Sequence, residues 1–227
     1  MGVHIYNLKH LSSRKKILFL RQNKVENMDY TIENKIFERM KKAKRGLAFF
    51  TSDFAAYGNS KACNKALERL VLQQKVMRVG RGIYTIPRKS KFFGRVAPGI
   101  EEIAQGIARR DKARIIPTGL FAENLLGLST QVPMKIVYLT DGTPRKLMIE
   151  ETPLVFKKTS PKNLATWGKI SGLVIQALKS IKKESITDYE IEKVINILKN
   201  ENPQNLANDI KLAPEWIREI MRKTQTD

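Results

Sequence analysis

The chain has 227 residues, is 42% hydrophobic and carries a formal net charge of +20, which allows one large or two small domains and implies a polyanionic partner, either nucleic acid or an acidic membrane surface. A single cysteine excludes an intrachain disulfide, and two histidines, His4 and His10, leave histidine metal sites and Ser-His-Asp triads almost no material. No cleavable signal or membrane-length apolar run is present, so a cytoplasmic protein is expected, with no metal and no cofactor.

Residues 1–27 are basic, with Arg14, Lys15 and Lys16 together, and their apolar patch at 17–20 is too short to span a membrane. They read as a loosely ordered extension, with a basic arm touching DNA phosphates as the alternative, and as dispensable because Met28 directly precedes a plausible domain start. Thr31 can cap a first helix running to about Lys44, with Ile32, Ile36, Phe37 and Met40 inward and Lys41, Lys42, Lys44 and Arg45 outward, either reaching phosphates or simply solvated.

The stretch 49–87 organises the rest. It reads as a short helix opened by Thr51, a turn at Gly58-Asn59 that tolerates positive φ, and a second helix over about 60–74 capped at Ser60. Two short strands follow, 76–79 and 82–86, joined at Gly80-Arg81. Helix, tight turn, helix and hairpin is the winged helix-turn-helix layout. In the second helix Cys63, Ala66, Leu67, Leu70 and Val71 recur at the spacing of one buried stripe, which makes Cys63 a core thiol rather than a nucleophile.

The opposite face carries Lys61 and Lys65, with Asn64 and Arg69 toward its edges. In a winged helix that face enters the major groove, where Asn pairs with adenine and Arg or Lys with guanine or phosphate. Glu68 either accepts from a cytosine amino group or pairs with Lys65. Arg78 and Arg81 fall where a wing meets the backbone or minor groove. The plain alternative is a small helical subdomain with a solvated basic face.

Residues 88–98, rich in Pro, Gly and basic side chains including Arg88, Lys89, Lys91 and Arg95, read as a basic linker touching DNA backbone or the wing's flank. Charge separates what lies on either side: residues 31–95 hold sixteen Lys or Arg against four acids, whereas residues 96–227 hold twenty against sixteen. The basic excess therefore belongs mainly to the first region. The expected domains are 28–87, the winged helix, and 99–227, a mixed α+β domain.

In that second domain, 100–110 looks helical, 113–116 extended and 119–126 helical again. Strand-like runs at 135–140, 145–149 and 154–158 suggest a small antiparallel meander. Helical pieces follow near 163–182, 188–199 and 214–223, with Trp216, Ile217 and Ile220 inward.

The runs GLAFFTSDF, GNSKACNKALERLV, MRVGRGIYTIPR, PTGLFAENLLGLSTQVPMKIVYLTDGTPRKL and LAPEWIREIM together resemble the AbiEi-like antitoxins of type IV toxin-antitoxin systems, over nearly all of residues 32–222. The resemblance implies a DNA-binding antitoxin that represses its own operon, at inverted repeats, and counteracts a nucleotidyltransferase-like toxin without a stable complex. It also implies that the N-terminal winged helix binds the double-stranded DNA, through 60–69 and a wing at 78–84, and that the C-terminal domain carries antitoxicity. Residues 1–27 have no counterpart in that pattern.

Enzyme signatures fail one by one. Gly168-Lys169 lacks the rest of a phosphate-binding loop, having Asn163 and Ile170 where Gly and Ser or Thr are needed. Gly80-Arg81-Gly82 is too short for a dinucleotide fingerprint and precedes a strand. The pairs Glu101-Glu102 and Glu150-Glu151 are neighbours whose side chains point apart, and Asp209-Ile210-Lys211 is a short nuclease-like match of the kind that arises by chance. Asn124, Ser129, Thr130 and Gln131 crowd a tight turn, either as a partner surface or as ordinary turn polarity, and Lys135, Arg145 and Lys146 either extend the basic surface or solubilise strands.

The expectation is a non-enzymatic, DNA-binding antitoxin and repressor, using Thr51, Ser60, Lys61, Asn64, Lys65, Arg69, Arg78, Arg81, Arg88 and Lys89 at DNA. A stand-alone winged-helix regulator and a nucleic-acid-processing enzyme are the alternatives.

Overall fold

The computed structural model describes residues 31–43, 47–92 and 94–225. The expectations for residues 1–27, for Met28 and for Lys44 and Arg45 fall outside them, as does the Lys89 side chain. The described residues are mixed α and β with small sheets and divide into two compact units. One runs to Pro98 without Val79–Arg81; the other holds Gly99 onward together with those three.

In the first unit, α1 (Ile32–Lys42) starts where Thr31, in extended backbone, accepts the Asn34 amide on its side-chain oxygen at 3.2 Å. That bond satisfies one of the donors every helix start leaves open. Ile36 and Met40, one turn apart, are buried against a core that includes Phe49, Phe54, Leu67 and Leu70. A 3-10 helix (Thr51–Tyr57) and α2 (Ser60–Leu72) follow.

The turn between them differs from the sequence reading. Neither Gly58, at φ 165, nor Asn59, at φ −66, is left-handed. A Cβ at position 58 would lie 2.8 Å from the Ile32 Cδ1 methyl, so a larger residue there would make the end of that side chain shift. The caps also sit one residue earlier than expected. Asn59, not Ser60, accepts the Ala62 amide at 2.9 Å, and Phe50, not Thr51, precedes the 3-10 helix, its amide held by the Asp53 carboxylate at 2.7 Å. Asn and Ser serve about equally well as caps, and here it is Asn59 whose side-chain oxygen reaches the amide of the third helical residue, leaving Ser60 in the first turn.

β1 (Phe49–Phe50), β2 (Met77–Gly80) and β3 (Ile83–Thr85) form a sheet in the order β1-β3-β2. The β2–β3 turn falls at Arg81-Gly82 rather than Gly80-Arg81, since Gly82 takes the positive φ of +70 that the turn requires. The stretch read as a linker contains an antiparallel hairpin, β4 (Arg88–Ser90) and β5 (Gly94–Val96), with Gly94 at φ +67 closing it. Its Pro and Gly residues punctuate a turn rather than an open chain.

The second unit opens with α3 (Ile100–Arg110), acidic in its first turn and basic in its last, as the helix dipole favours. Then come β6 (Ile115–Pro117), α4 (Leu120–Leu125), β7 (Ile136–Thr140), β8 (Arg145–Ile149) and β9 (Thr152–Lys158). The sheet order is β6-β7-β9-β8, with β7 and β9 parallel, so the expected antiparallel meander is not formed. A meander would place β8, with its exposed Lys146 and Met148, in the middle. The sheet instead centres β9, whose Leu154 and Phe156 are buried, and leaves β8 at the edge. Tyr138 on β7 stacks on Phe156 at 6.0 Å in register and meets Phe121 edge-on at 5.7 Å. Burial, with Glu101 nearby, pushes its hydroxyl pKa well above the usual value.

Four helices complete the unit: α5 (Lys169–Ile181), α6 (Asp188–Leu198), α7 (Pro203–Leu212) and α8 (Glu215–Arg222). The 163–182 piece is shorter than expected, because a separate 3-10 turn occupies Pro161–Leu164. α7 was not expected at all, although Asn202 followed by Pro203 is a cap and first-turn pair. Val174, Ala177 and Leu178 of α5 are fully buried with Val194, Leu198 and Ile217. Ile220 is buried too, while Trp216 is only half-buried. At the other end of α7 the Arg218 guanidinium donates to the Ile210 and Ala213 carbonyls, both at 3.2 Å, filling acceptors left open where the helix stops.

Candidate nucleic-acid interface

The face of α2 follows from its period. Cys63, Ala66, Leu67 and Leu70 are buried, which turns Lys61, Lys65, Glu68 and Arg69 outward, all exposed. The apolar stripe thus fixes how the cations are presented. Leu67 and Leu70 are fully buried, and each such side chain is worth roughly 1.5–3 kcal/mol of transfer free energy. The Cys63 thiol donates to the Phe54 and Gly58 carbonyls at 3.3 and 3.4 Å, tying the 3-10 helix to α2 from inside.

At the edge of that face Asn64 is half-buried, and its side-chain oxygen accepts from the Thr51 hydroxyl at 3.0 Å. These two predicted residues are therefore brought into direct contact. Ser60 is exposed in the first turn of α2. Arg78 and Arg88 are exposed on β2 and β4, and Arg81 is exposed at the β2–β3 turn.

Two cations went unnoticed in the sequence. Lys75, three residues beyond α2, lines a groove of about 530 Å³ together with Lys65, Arg69, Asn34 and Gln73. Its ammonium also lies 5.4 Å from the Phe37 ring centroid. Spacing alone does not group it with the other two, because it lies past the end of the helix. Arg39 of α1 sits 5.6 Å from the Phe54 ring and 5.9 Å from that of Tyr57, and donates to the Asp53 carbonyl, so it braces the 3-10 helix. The one acid in the groove, Glu33, accepts from the Gln73 amide at 2.6 Å. Such a surface, cations around a groove with its acid already hydrogen-bonded, attracts phosphate oxygens.

The polar groups weighed in the second unit mostly serve structure. Asn124 donates to the Ser129 and Gln131 carbonyls at 3.3 Å, and Ser129 accepts the Gln131 amide at 3.2 Å, which is turn polarity; Thr130 and Gln131 are exposed. Arg145 pairs with Asp111, and Lys135 and Lys146 are exposed. Asp209, of the nuclease-like match, is fully buried and accepts the Trp167 and Gly168 amides just before α5. Among the described residues no group of three His, Cys, Asp or Glu is arranged to hold a metal ion, and no helix is long and apolar enough to cross a membrane.

Residues 35–206, more than half of the chain, match the model of a family described as "Family of unknown function (DUF6088)". No curated protein matches the chain.

Proposed function

The chain belongs to the DUF6088 family, and we propose that residues 31–87 hold a winged helix-turn-helix that binds double-stranded DNA. In this reading α2 is the recognition helix, the β2–β3 hairpin is the wing, and the 3-10 helix with α1 is the support behind them. The observation that carries it is the exposed row Lys61, Lys65 and Arg69, opposite a buried stripe that holds α2 from behind. Affinity comes mainly from lysine and arginine neutralising phosphates, and discrimination from Asn64, Lys65 and Arg69 at base edges.

The finer reading is an antitoxin that represses its own operon at inverted repeats and counteracts a nucleotidyltransferase-like toxin without a stable complex. The resemblance of five separate runs of this sequence to AbiEi-like antitoxins supports it. Two copies on a two-fold-related site would mirror the repeats. A cytoplasmic, non-enzymatic regulator accords with both readings.

The experiment is a binding titration of the full chain with its own upstream DNA and with a scrambled duplex over a range of salt, followed by co-expression with the toxin gene of its locus. Salt-dependent preference for the upstream DNA, with rescue of growth, supports the antitoxin. Preference without rescue reduces it to a stand-alone regulator. Indifference to duplex DNA at low salt overturns the DNA reading, and metal-dependent cleavage of DNA or RNA would make the protein an enzyme.

A further inference from the structure

In the second unit the loop before β7, the start of α4, the end of α5 and β9 line a half-open cavity of about 920 Å³. That is within the roughly 300–1,000 Å³ usual for small-ligand sites. Its wall is mainly apolar, from Leu120, Phe121, Val137 and the lip Val132-Pro133-Met134. Val132 is 85% and Met134 91% exposed, side chains that cost free energy in water and gain it when covered.

Lys135, Lys157 and Lys179 also line it, and no Asp or Glu does. Among the described residues neither Lys135 nor Lys157 makes an ion pair. Lys179 is held by a neutral partner, donating to the Asn163 side-chain oxygen at 3.2 Å. Partial burial of its ammonium, and after it the nearby Lys162, make this otherwise exposed residue less basic than usual, and an anion beside it would offset both.

We propose that this cavity binds a small amphipathic organic anion, its hydrocarbon or aromatic body against Phe121, Val132 and Met134 and its carboxylate or phosphate among Lys135, Lys157 and Lys179. Neither half of the site selects such a ligand alone. An apolar wall accepts any hydrophobic body, and a lysine cluster accepts any anion. Together they exclude apolar cations and bare phosphate. The proposal is independent of DNA binding by the first unit.

The test uses the full-length chain and 8-anilinonaphthalene-1-sulfonate, an aromatic body with one sulfonate, followed by fluorescence. The expected result is saturable binding of one probe per chain, displaced by decanoate or decyl phosphate but not by decyltrimethylammonium or inorganic phosphate. The two displacing arms show which head group is preferred. Lys157→Gln with Lys179→Gln should weaken the probe by about tenfold, and Met134→Glu, at an exposed position that leaves folding intact, should do the same. Absence of saturable binding, equal displacement by the cation, or binding unchanged in both variants with unaltered thermal unfolding would overturn it.

Discussion

Thr51 donates its hydroxyl hydrogen to the Asn64 side-chain oxygen at 3.0 Å, linking the first residue of the 3-10 helix to the exposed edge of α2. The bond orients the amide through its oxygen, and in the proposed DNA-binding reading the NH2 is the group offered to a ligand. An acceptor such as adenine N7 or a phosphate oxygen suits that arrangement. Thr51→Val keeps the shape and removes the donor. It should weaken binding to the preferred duplex by about 0.5–1.5 kcal/mol, measured by titration at matched salt, and equal affinity would show that the pair only closes the fold.

Lys65 and Arg69 share a groove with Lys75. Replacing Lys65 or Arg69 with Ala should cost about 1–3 kcal/mol wherever a base contact is lost. Lys75→Ala should act on all duplexes alike and reduce the slope of log affinity against log salt by about 0.9, as for one phosphate contact. If Lys75→Ala instead changed sequence preference with the slope intact, its assignment to the backbone would be wrong.

Asp209 is 0% exposed and accepts the Trp167 and Gly168 amides at 2.8 and 2.9 Å and the Ser171 hydroxyl. Asp209→Ala removes the acceptor of the buried Gly168 amide and the part-buried Trp167 amide and leaves the Ser171 hydroxyl only its longer bond to Glu201, so unfolding free energy should fall by about 1–3 kcal/mol. Lys211→Ala, at an exposed position, should be near neutral. Urea denaturation of both variants, with a metal-dependent cleavage assay beside it, separates a structural aspartate from a nuclease residue: loss of stability in Asp209→Ala alone supports the former, and cleavage lost in both variants would favour the latter.

Glu201 accepts the Ile170 and Ser171 amides at 2.8 and 3.1 Å, at the same helix start. Partial burial alone would raise its pKa, but the amides of Ser171, Asn202 and Ile170 outweigh it and hold the carboxyl below 4.5. The folded pKa is therefore lower than the unfolded one. The stability this adds is fully present above pH 4.5 and is lost as pH falls through the folded value. Glu201→Gln should flatten the acid limb of stability against pH without altering its neutral plateau's shape. An unchanged acid limb, read by thermal unfolding from pH 3 to pH 7, would remove Glu201 as its source.

The elements of both units were largely readable in the chain, for local reasons. Ile100–Arg110 and Arg145–Ile149 stand where the periodicity puts them, and the exposed cations of α2 follow from the positions of Cys63, Ala66, Leu67 and Leu70. The cap of α2 lies one residue earlier because Asn59 and Ser60 are adjacent and both suited to the position. α7 was overlooked because Asn-Pro reads equally as a turn.

Period, charge and turn chemistry act over a few residues, so the sequence by itself determined which faces are apolar and where the positive charge accumulates. Pairings between distant residues depend on which strands and side chains the whole fold can bury, and these only the tertiary structure decided. Leu154 and Phe156 draw β9 beside β7 in parallel, Asp209 reaches back to residues 167–171, and Lys75 joins Lys65 and Arg69 at one groove. None of these is encoded in a local pattern, because each is settled by competition for a shared interior or a shared surface.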